Sequence, residues 1–241
     1  MQLALVESTL VEPAAPLASQ ESALAIRRWV AFEDGADIEP DDFVFDAPGI
    51  EAVAALCAGV ILASGDEQRA ATLFAAGADC VLVGAAALDD STVVERLVTA
   101  HGAERVGIYA PLRRQTVSWS FETVSNADFK TVTPSHCEPA WEVLRADGAS
   151  TGTLAAWWLK AMRELGATRF LVRVDIQDDT DLNLCAGLVE DLGDALWLGP
   201  LLDPAPVLAD WVDYGQCRQL ALPVAAYAQC ADLPGRQKAS A

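Results

Sequence analysis

The segment Arg69-Ala-Ala-Thr-Leu-Phe-Ala-Ala-Gly-Ala-Asp-Cys-Val-Leu-Val-Gly-Ala-Ala-Ala-Leu88 admits few folds. It reads as a helix, a glycine stop, a buried strand and a loop with almost no side chains. Leu73, Phe74 and the alanines give the helix an apolar stripe, and Gly77 suits the left-handed residue that follows a helix. Residues 80–83 form a short apolar run, the kind buried on both faces of a parallel sheet. In the loop Gly84 to Ala87 the backbone N–H groups stand open to close approach by an anion. Together these pieces make one repeat of a parallel α/β barrel.

The rest of the chain continues the alternation. Apolar runs at 3–6, 43–46, 60–63, 105–109, 170–174, 195–198 and 219–222 read as further strands. Helical spacing covers 22–32, 49–57, 91–101, 150–165, 182–192 and 204–212, with Asp66 placed to cap the helix of the opening segment and Ser91 or Asp90 the next. Eight strands separated by helices, with no Gly-x-Gly-x-x-Gly turn after the first, predict an α/β fold of the (β/α)8 TIM-barrel type, one domain over residues 1–241. After the fifth strand the pattern changes. Residues 115–122 alternate with period two and 129–133 supply a partner, so an insertion over about 112–148 is expected to form a small β-hairpin beside the barrel mouth. Residues 232–241 read as a loose tail.

A length of 241 residues suits such a barrel, and the charge narrows what it can bind. Sixteen Lys plus Arg against 35 Asp plus Glu give a formal charge of −19. That field repels nucleic acid and anionic membranes, so neither is an expected partner. An anionic ligand needs a local site able to act within a Debye length of about 8 Å. No apolar run is long enough for a transmembrane helix and the N-terminus lacks the pattern of a signal peptide, so a cytoplasmic location is expected. The six cysteines show no C-x-x-C spacing and read as reduced core thiols.

Barrel enzymes place their chemistry at the C-terminal ends of the strands. On this reading Glu7, Asp46, Ser64, Gly84, Tyr109, Asp175 and Pro200 ring one face. Two stretches then carry a specific likeness. Residues 65–88, with the helix ending AGAD and the strand ending VLVGAAAL, and Val174-Asp-Ile-Gln-Asp-Asp-Thr-Asp-Leu182 resemble the HisA/HisF family of histidine-biosynthesis barrels, the phosphoribosyl isomerases. The resemblance covers about residues 59–200. Kinship with the HisA/HisF-related proteins found beside one-carbon cofactor genes in methanogens and methylotrophs rests on the general barrel pattern, and would imply tetrahydromethanopterin or furan-cofactor biosynthesis.

What the resemblance implies is specific to residues. The family's acid and base end the first and fifth strands, where this chain has Glu7 and Tyr109. A phenol titrates near 10, so Tyr109 suits proton donation and not base catalysis at neutral pH. Asp179 matches the carboxylate of the loop after strand six, with Asp175 beside it, and Asp46 adds a third acidic candidate at a strand end. A first phosphate cup is implied at Ser64, Gly65, Gly84, Ala85 and Ala86. The second, after strands seven and eight, is expected to be lost, because Pro200 removes a donor, Leu201 and Leu202 add bulk, and Ala221-Leu-Pro223 replaces a glycine-lysine loop.

The remaining candidates are weaker. Asp175, Asp178, Asp179 and Asp181 lack the EF-hand glycine and terminal glutamate, so no metal is expected, and nothing implies a cofactor. Lys130, His136 and Cys137 fall in the insertion, where adjacent side chains of an extended segment point apart. Trp119, Trp141, Trp157, Trp158, Trp197 and Trp211 suit core or interface. Two functions follow. One is a divergent enzyme, isomerase- or lyase-like, that uses Glu7, Asp46, Tyr109 and Asp179 on a small monophosphorylated metabolite. Standard histidine-pathway isomerisation does not fit Tyr109 and the lost cup. The other is a non-catalytic barrel that serves as a scaffold for a protein partner or a second copy of itself.

Overall fold

A computed structural model describes residues 24–33, 37–115 and 138–230, together with the backbone of 123–126 and 129–132. In chain order the strands are β1 (Ala25–Ala31), β2 (Phe43–Phe45), β3 (Gly59–Leu62), β4 (Val81–Val83), β5 (Val106–Arg114), β6 (Thr123–Asn126), β7 (Phe129–Val132), β8 (Trp141–Leu144), β9 (Ser150–Leu154), β10 (Arg169–Val174), β11 (Leu196–Pro200) and β12 (Gln219–Pro223). The helices are α1 (Glu67–Ala75), α2 (Ala85–Asp89), α3 (Thr92–His101), α4 (Ala155–Glu164), α5 (Asp179–Leu192), α6 (Leu208–Asp213) and α7 (Val224–Gln229).

β1 to β5 pair in parallel in sequence order, β5 pairs β10, β10 pairs β11, β11 pairs β12, and β12 returns to β1. The ring is a closed, all-parallel, eight-stranded barrel, the TIM-barrel architecture. Beyond the ring, β5 runs on to Arg114 and pairs antiparallel with β8, which pairs with β9. β6 and β7 form a two-stranded hairpin after the fifth strand, Asn126 opposite Phe129; its second arm falls in the expected 129–133, but its first is 123–126 and not 115–122, of which residues 116–122 lie outside the described residues.

Local chemistry sets several boundaries. The Asp66 carboxylate accepts from Arg69 N at 2.8 Å and caps α1. At its other end Gly77 takes φ 96°, and Ala78 N reaches back to Leu73 O at 3.0 Å, a Schellman closure. Gly166, φ 102°, ends α4 in the same way, with Ala167 N on Met162 O at 3.1 Å. For α3 the capping oxygen is that of Asp90, which accepts from Thr92 N at 3.1 Å, whereas Ser91 makes no side-chain cap.

The structure corrects three assignments. Residues 22–32, read as a helix, hold β1, the first strand of the ring. Ala25 and Trp29 pack inside the barrel while Leu24 and Ile26 pack on the outer, helix-facing core, so a period of two prevails over the apparent helical spacing. Residues 3–6, assigned to that first strand, lie outside the described residues, as does the tail 232–241. Residues 49–57 form two single 3-10 turns, Ile50–Ala52 and Ala54–Leu56, broken at Val53 with φ −124°. Residues 150–154, read as the start of a helix, are β9, held by β8; the helix begins at Ala155.

Two apolar layers result. Between strands and helices lies the main core, which includes Phe170, Leu73, Leu159 and Trp211. Inside the ring Phe43, Ile61, Cys80, Leu82, Tyr109, Leu171, Trp197 and Ala221 close the barrel axis. Cys57, Cys80, Cys185 and Cys217 are buried free thiols, as read from the sequence, and Cys230 is buried with its Sγ on Ala226 O; Cys137 lies outside the described residues. Trp141, Trp158, Trp197 and Trp211 are buried, and Trp157 is exposed. Among the described residues no helix is long and apolar enough to cross a membrane.

Candidate active site at the mouth between β5 and β10

The strand β10 sets the site. Arg169, Leu171, Arg173 and, just past its end, Asp175 occupy alternate positions, and Leu171 belongs to the interior layer, so this series faces the barrel axis and climbs to the mouth. At the top, Arg173 lies over the Trp29 ring, its guanidinium carbon 4.3 Å from the ring centre, with Phe45 at 5.6 Å. Phe45 meets Trp29 and Tyr109 edge to face, at 5.5 and 5.6 Å between ring centres. Arg173 donates from Nε to Pro200 O at 2.8 Å, from Nη2 to Leu201 O, and from Nη1 to the Tyr109 hydroxyl at 3.3 Å. Among the described residues no carboxylate lies within 4.0 Å of it.

Tyr109 is 4% exposed. Burial pushes its hydroxyl above the ordinary phenol range, and the opposing pull of Arg173 does not reverse the shift. It therefore stays protonated at neutral pH. Because its oxygen accepts from Arg173, its own hydrogen is left to point elsewhere, as a donor.

Asp175 is fixed by backbone. Its Oδ1 accepts from three consecutive N–H groups, Leu201 at 3.0 Å, Leu202 at 2.8 Å and Asp203 at 2.9 Å. Its Oδ2 has no hydrogen-bond partner among the described residues, and the side chain borders the cleft that Tyr109 and Arg173 also line. This cleft holds about 1140 Å³. Its outer wall is the end of β5 and the turn Arg145 to Gly148 between β8 and β9; the start of α5 closes one side.

Ion pairs brace that wall. Arg114 Nη1 lies 2.6 Å from Asp178 Oδ1 and 3.1 Å from Asp181 Oδ1, joining β5 to α5. The Arg114 guanidinium holds the Asp178 carboxyl down to about 2. Asp178 also caps α5, accepting from Thr180 N at 2.9 Å, and Asp181 accepts from Gln177 N at 2.8 Å. Arg145 reaches Asp89 of α2 at 2.7 Å.

Of the residues singled out in the sequence, Tyr109 sits at the heart of this cleft. Asp179 does not. With Asp178 as the cap, Asp179 becomes the first helical residue of α5, exposed and outside the cleft lining; of the aspartates that border the cleft, Asp178 and Asp181 pair with Arg114, and the one without an arginine partner among the described residues is Asp175. Asp46 follows β2 as expected but is spent: Arg69 of α1 binds it with Nε at 3.2 and 3.1 Å and Nη2 at 2.6 Å, and also grips Glu51. Glu7 lies outside the described residues; with β1 at Ala25–Ala31, it does not end the first strand of the ring.

The small-residue loop is half committed. Gly84 N donates to Leu62 O and Ala85 N to Ala63 O, both at 3.0 Å, so neither N–H can serve an anion. The N–H groups of Ser64, Gly65 and Ala86 have no protein acceptor among the described residues. Gly84 itself touches the site: a Cβ there would stand 2.8 Å from Ala63 O and 3.3 Å from Tyr109 Cδ1.

Sequence reasoning missed Arg173, Trp29 and Phe45. The signal for Arg173 was present, since it stands two residues before Asp175 on a strand that ends at the mouth. Trp29 was hidden by the helical reading of its segment. No protein-family model matches the chain and no curated protein matches it, so the arrangement of Tyr109, Arg173 and Asp175 carries the functional argument on its own geometry.

Proposed function

We propose that this protein is an enzyme that moves a proton on a small anionic substrate, a monophosphorylated carbonyl compound, in the cleft between β5 and β10. The carrying observation is Asp175: three backbone donors fix one carboxylate oxygen while the other is free toward a cleft shared with a protonated phenol and a guanidinium without a carboxylate partner. Asp175 Oδ2 takes the proton from the carbon next to the substrate carbonyl. The electron pair moves to the carbonyl oxygen, Tyr109 donates its hydroxyl proton there, and Arg173 stabilises the negative charge as it develops. Ser64, Gly65 and Ala86 supply N–H groups to the phosphate, beside Tyr109 across Gly84. Descent from HisA/HisF-like barrels accords with this reading, as does work on a biosynthetic intermediate of a one-carbon cofactor.

Calorimetric titration with ribose 5-phosphate tests the binding half. Saturable binding is expected, weakened at least tenfold in Arg173→Gln and in Ala86→Glu, which brings a like charge to the phosphate seat. Equal affinity in all three proteins overturns it.

A second reading has its own observation. Trp157 on α4 is 68% exposed and Leu154 beside it 47%, a surface suited to a partner protein in the scaffold role. Sedimentation at increasing concentration tests one form of it: self-association abolished by Trp157→Ala supports a homo-oligomer, and a monomer throughout removes that form.

A further inference from the structure

The opposite end of the barrel axis carries a second concentration of charge. Arg27 on β1 and Arg169 on β10 alternate with interior residues, Arg27 between Ala25 and Trp29, Arg169 two before Leu171, so both enter the axis at the N-terminal ends of the strands. The Arg27 guanidinium carbon lies 4.8 Å from the Trp197 ring centre and 5.6 Å from that of Phe43. Arg169 Nη1 donates to Ala58 O at 3.2 Å. Both guanidiniums act on the fully buried thiol of Cys80. They also act on each other: burial first, and Arg169 with it, push Arg27 below the usual guanidinium range against the pull of Asp41.

Glycines let neighbouring strands close up at this end. A Cβ on Gly107 would come within 2.8 Å of Arg169 O and 2.9 Å of Leu82 Cδ2, and one on Gly59 within 3.4 Å of Phe43 Cδ1. Carboxylates outnumber cations 35 to 16 in this chain, yet the carboxylate near Arg27 is that of Asp41, 3.7 Å away and 62% exposed. Asp79 acts on Arg27 only from a longer range. Among the described residues none pairs with Arg169 within 4.0 Å.

We infer that this barrel floor is a binding site for a small tetrahedral oxyanion, sulfate or inorganic phosphate, gripped by Arg27 and Arg169. Guanidinium forks match such an anion, and stacking on Trp197 preorganises one of them. Two cations that repel across a partly desolvated floor gain most from a shared counter-ion. The anion would tie β1 to β10 across the ring, and Leu171, Tyr109 and Trp197 separate it from the mouth.

Sulfate titrated into Arg173→Gln, with chloride holding ionic strength constant, isolates the floor from the mouth. One saturable event is expected there, weakened at least tenfold when Arg27→Gln or Arg169→Gln is added, and less by Arg27→Lys, which keeps the charge. Absence of saturation in Arg173→Gln, or an affinity indifferent to the floor substitutions, overturns the inference. Where a variant fails to fold, alkylation of the wild-type thiols decides. Sulfate should slow labelling of Cys80 at least tenfold more than that of Cys185, and equal slowing of both contradicts a floor site.

Discussion

Asp175 and Asp46 are both carboxylates at the ends of barrel strands, and the structure gives them opposite fates. Asp46 is bound on both oxygens by Arg69, so it serves to fasten α1 to β2. Asp46→Asn should cost about 1–2 kcal/mol in denaturant unfolding and leave ribose 5-phosphate binding unchanged. Asp175 spends one oxygen on three N–H groups and offers the other. Asp175→Ala should therefore cost about 2–3 kcal/mol and speed amide exchange at Leu201, Leu202 and Asp203, and unaltered exchange there would mean that the carboxylate does not hold the loop. The sequence placed a mouth carboxylate in this loop, but which of Asp175 and Asp179 it is depends on where α5 begins. That is decided by Asp178, whose carboxylate caps the helix and turns Asp179 outward. A run of four aspartates in seven residues carries no mark of which one caps. Arg173 went unread for a related reason: its place two residues before Asp175 puts it on the mouth-facing side, but its role becomes clear once Trp29 and Phe45 are known to lie beneath it.

At the scale of elements, the strands with continuous apolar runs were legible, because burial on both faces leaves a strong signal over three to six residues. β2, β3, β4, β5, β10, β11 and β12 fall where the sequence puts them, within a residue or two at most ends. β1 was not legible. Its arginines and tryptophan break the apolar run, and two of those side chains, Arg27 and Trp29, are the ones that reach the two ends of the barrel axis. The residues that hide the strand are those that make it useful. Close approach of strands gives a further test. A Cβ on Gly199 of β11 would stand 2.2 Å from Ala221 O of β12, a backbone atom that cannot swing aside. Gly199→Ala should lower stability by about 1–3 kcal/mol in urea melts, and a neutral result would place β11 and β12 farther apart than described here. The β5–α5 brace has a signature in pH. The Asp178 carboxyl, held near 2 by Arg114, lies below the ordinary aspartate value of about 3.9. A depressed acid stabilises the fold fully above its unfolded pKa and loses that contribution as pH falls through the folded one. Thermal melts should therefore show part of the acid destabilisation between about pH 4 and pH 2, and Asp178→Asn, which can still cap α5, should flatten that part of the curve.

For the whole molecule, a chain of net charge −19 sets three of its arginines on the barrel axis, Arg173 at the mouth and Arg27 with Arg169 at the floor. On the proposed reading the acidic surface would discourage polyanions, while the cationic axis would draw small anions to the mouth and the floor. The central claim concerns the mouth: Asp175 is a fixed base facing a phenol and a guanidinium that share one cleft. Deuterium uptake from D2O at the carbon next to the carbonyl, followed by NMR over a set of aldose and ketose monophosphates, tests it most directly. The account predicts uptake by at least one of them with the wild-type protein, reduced about 100-fold or more in Asp175→Asn. Uptake that survives Asp175→Asn undiminished, or none from any member of the set, would contradict it.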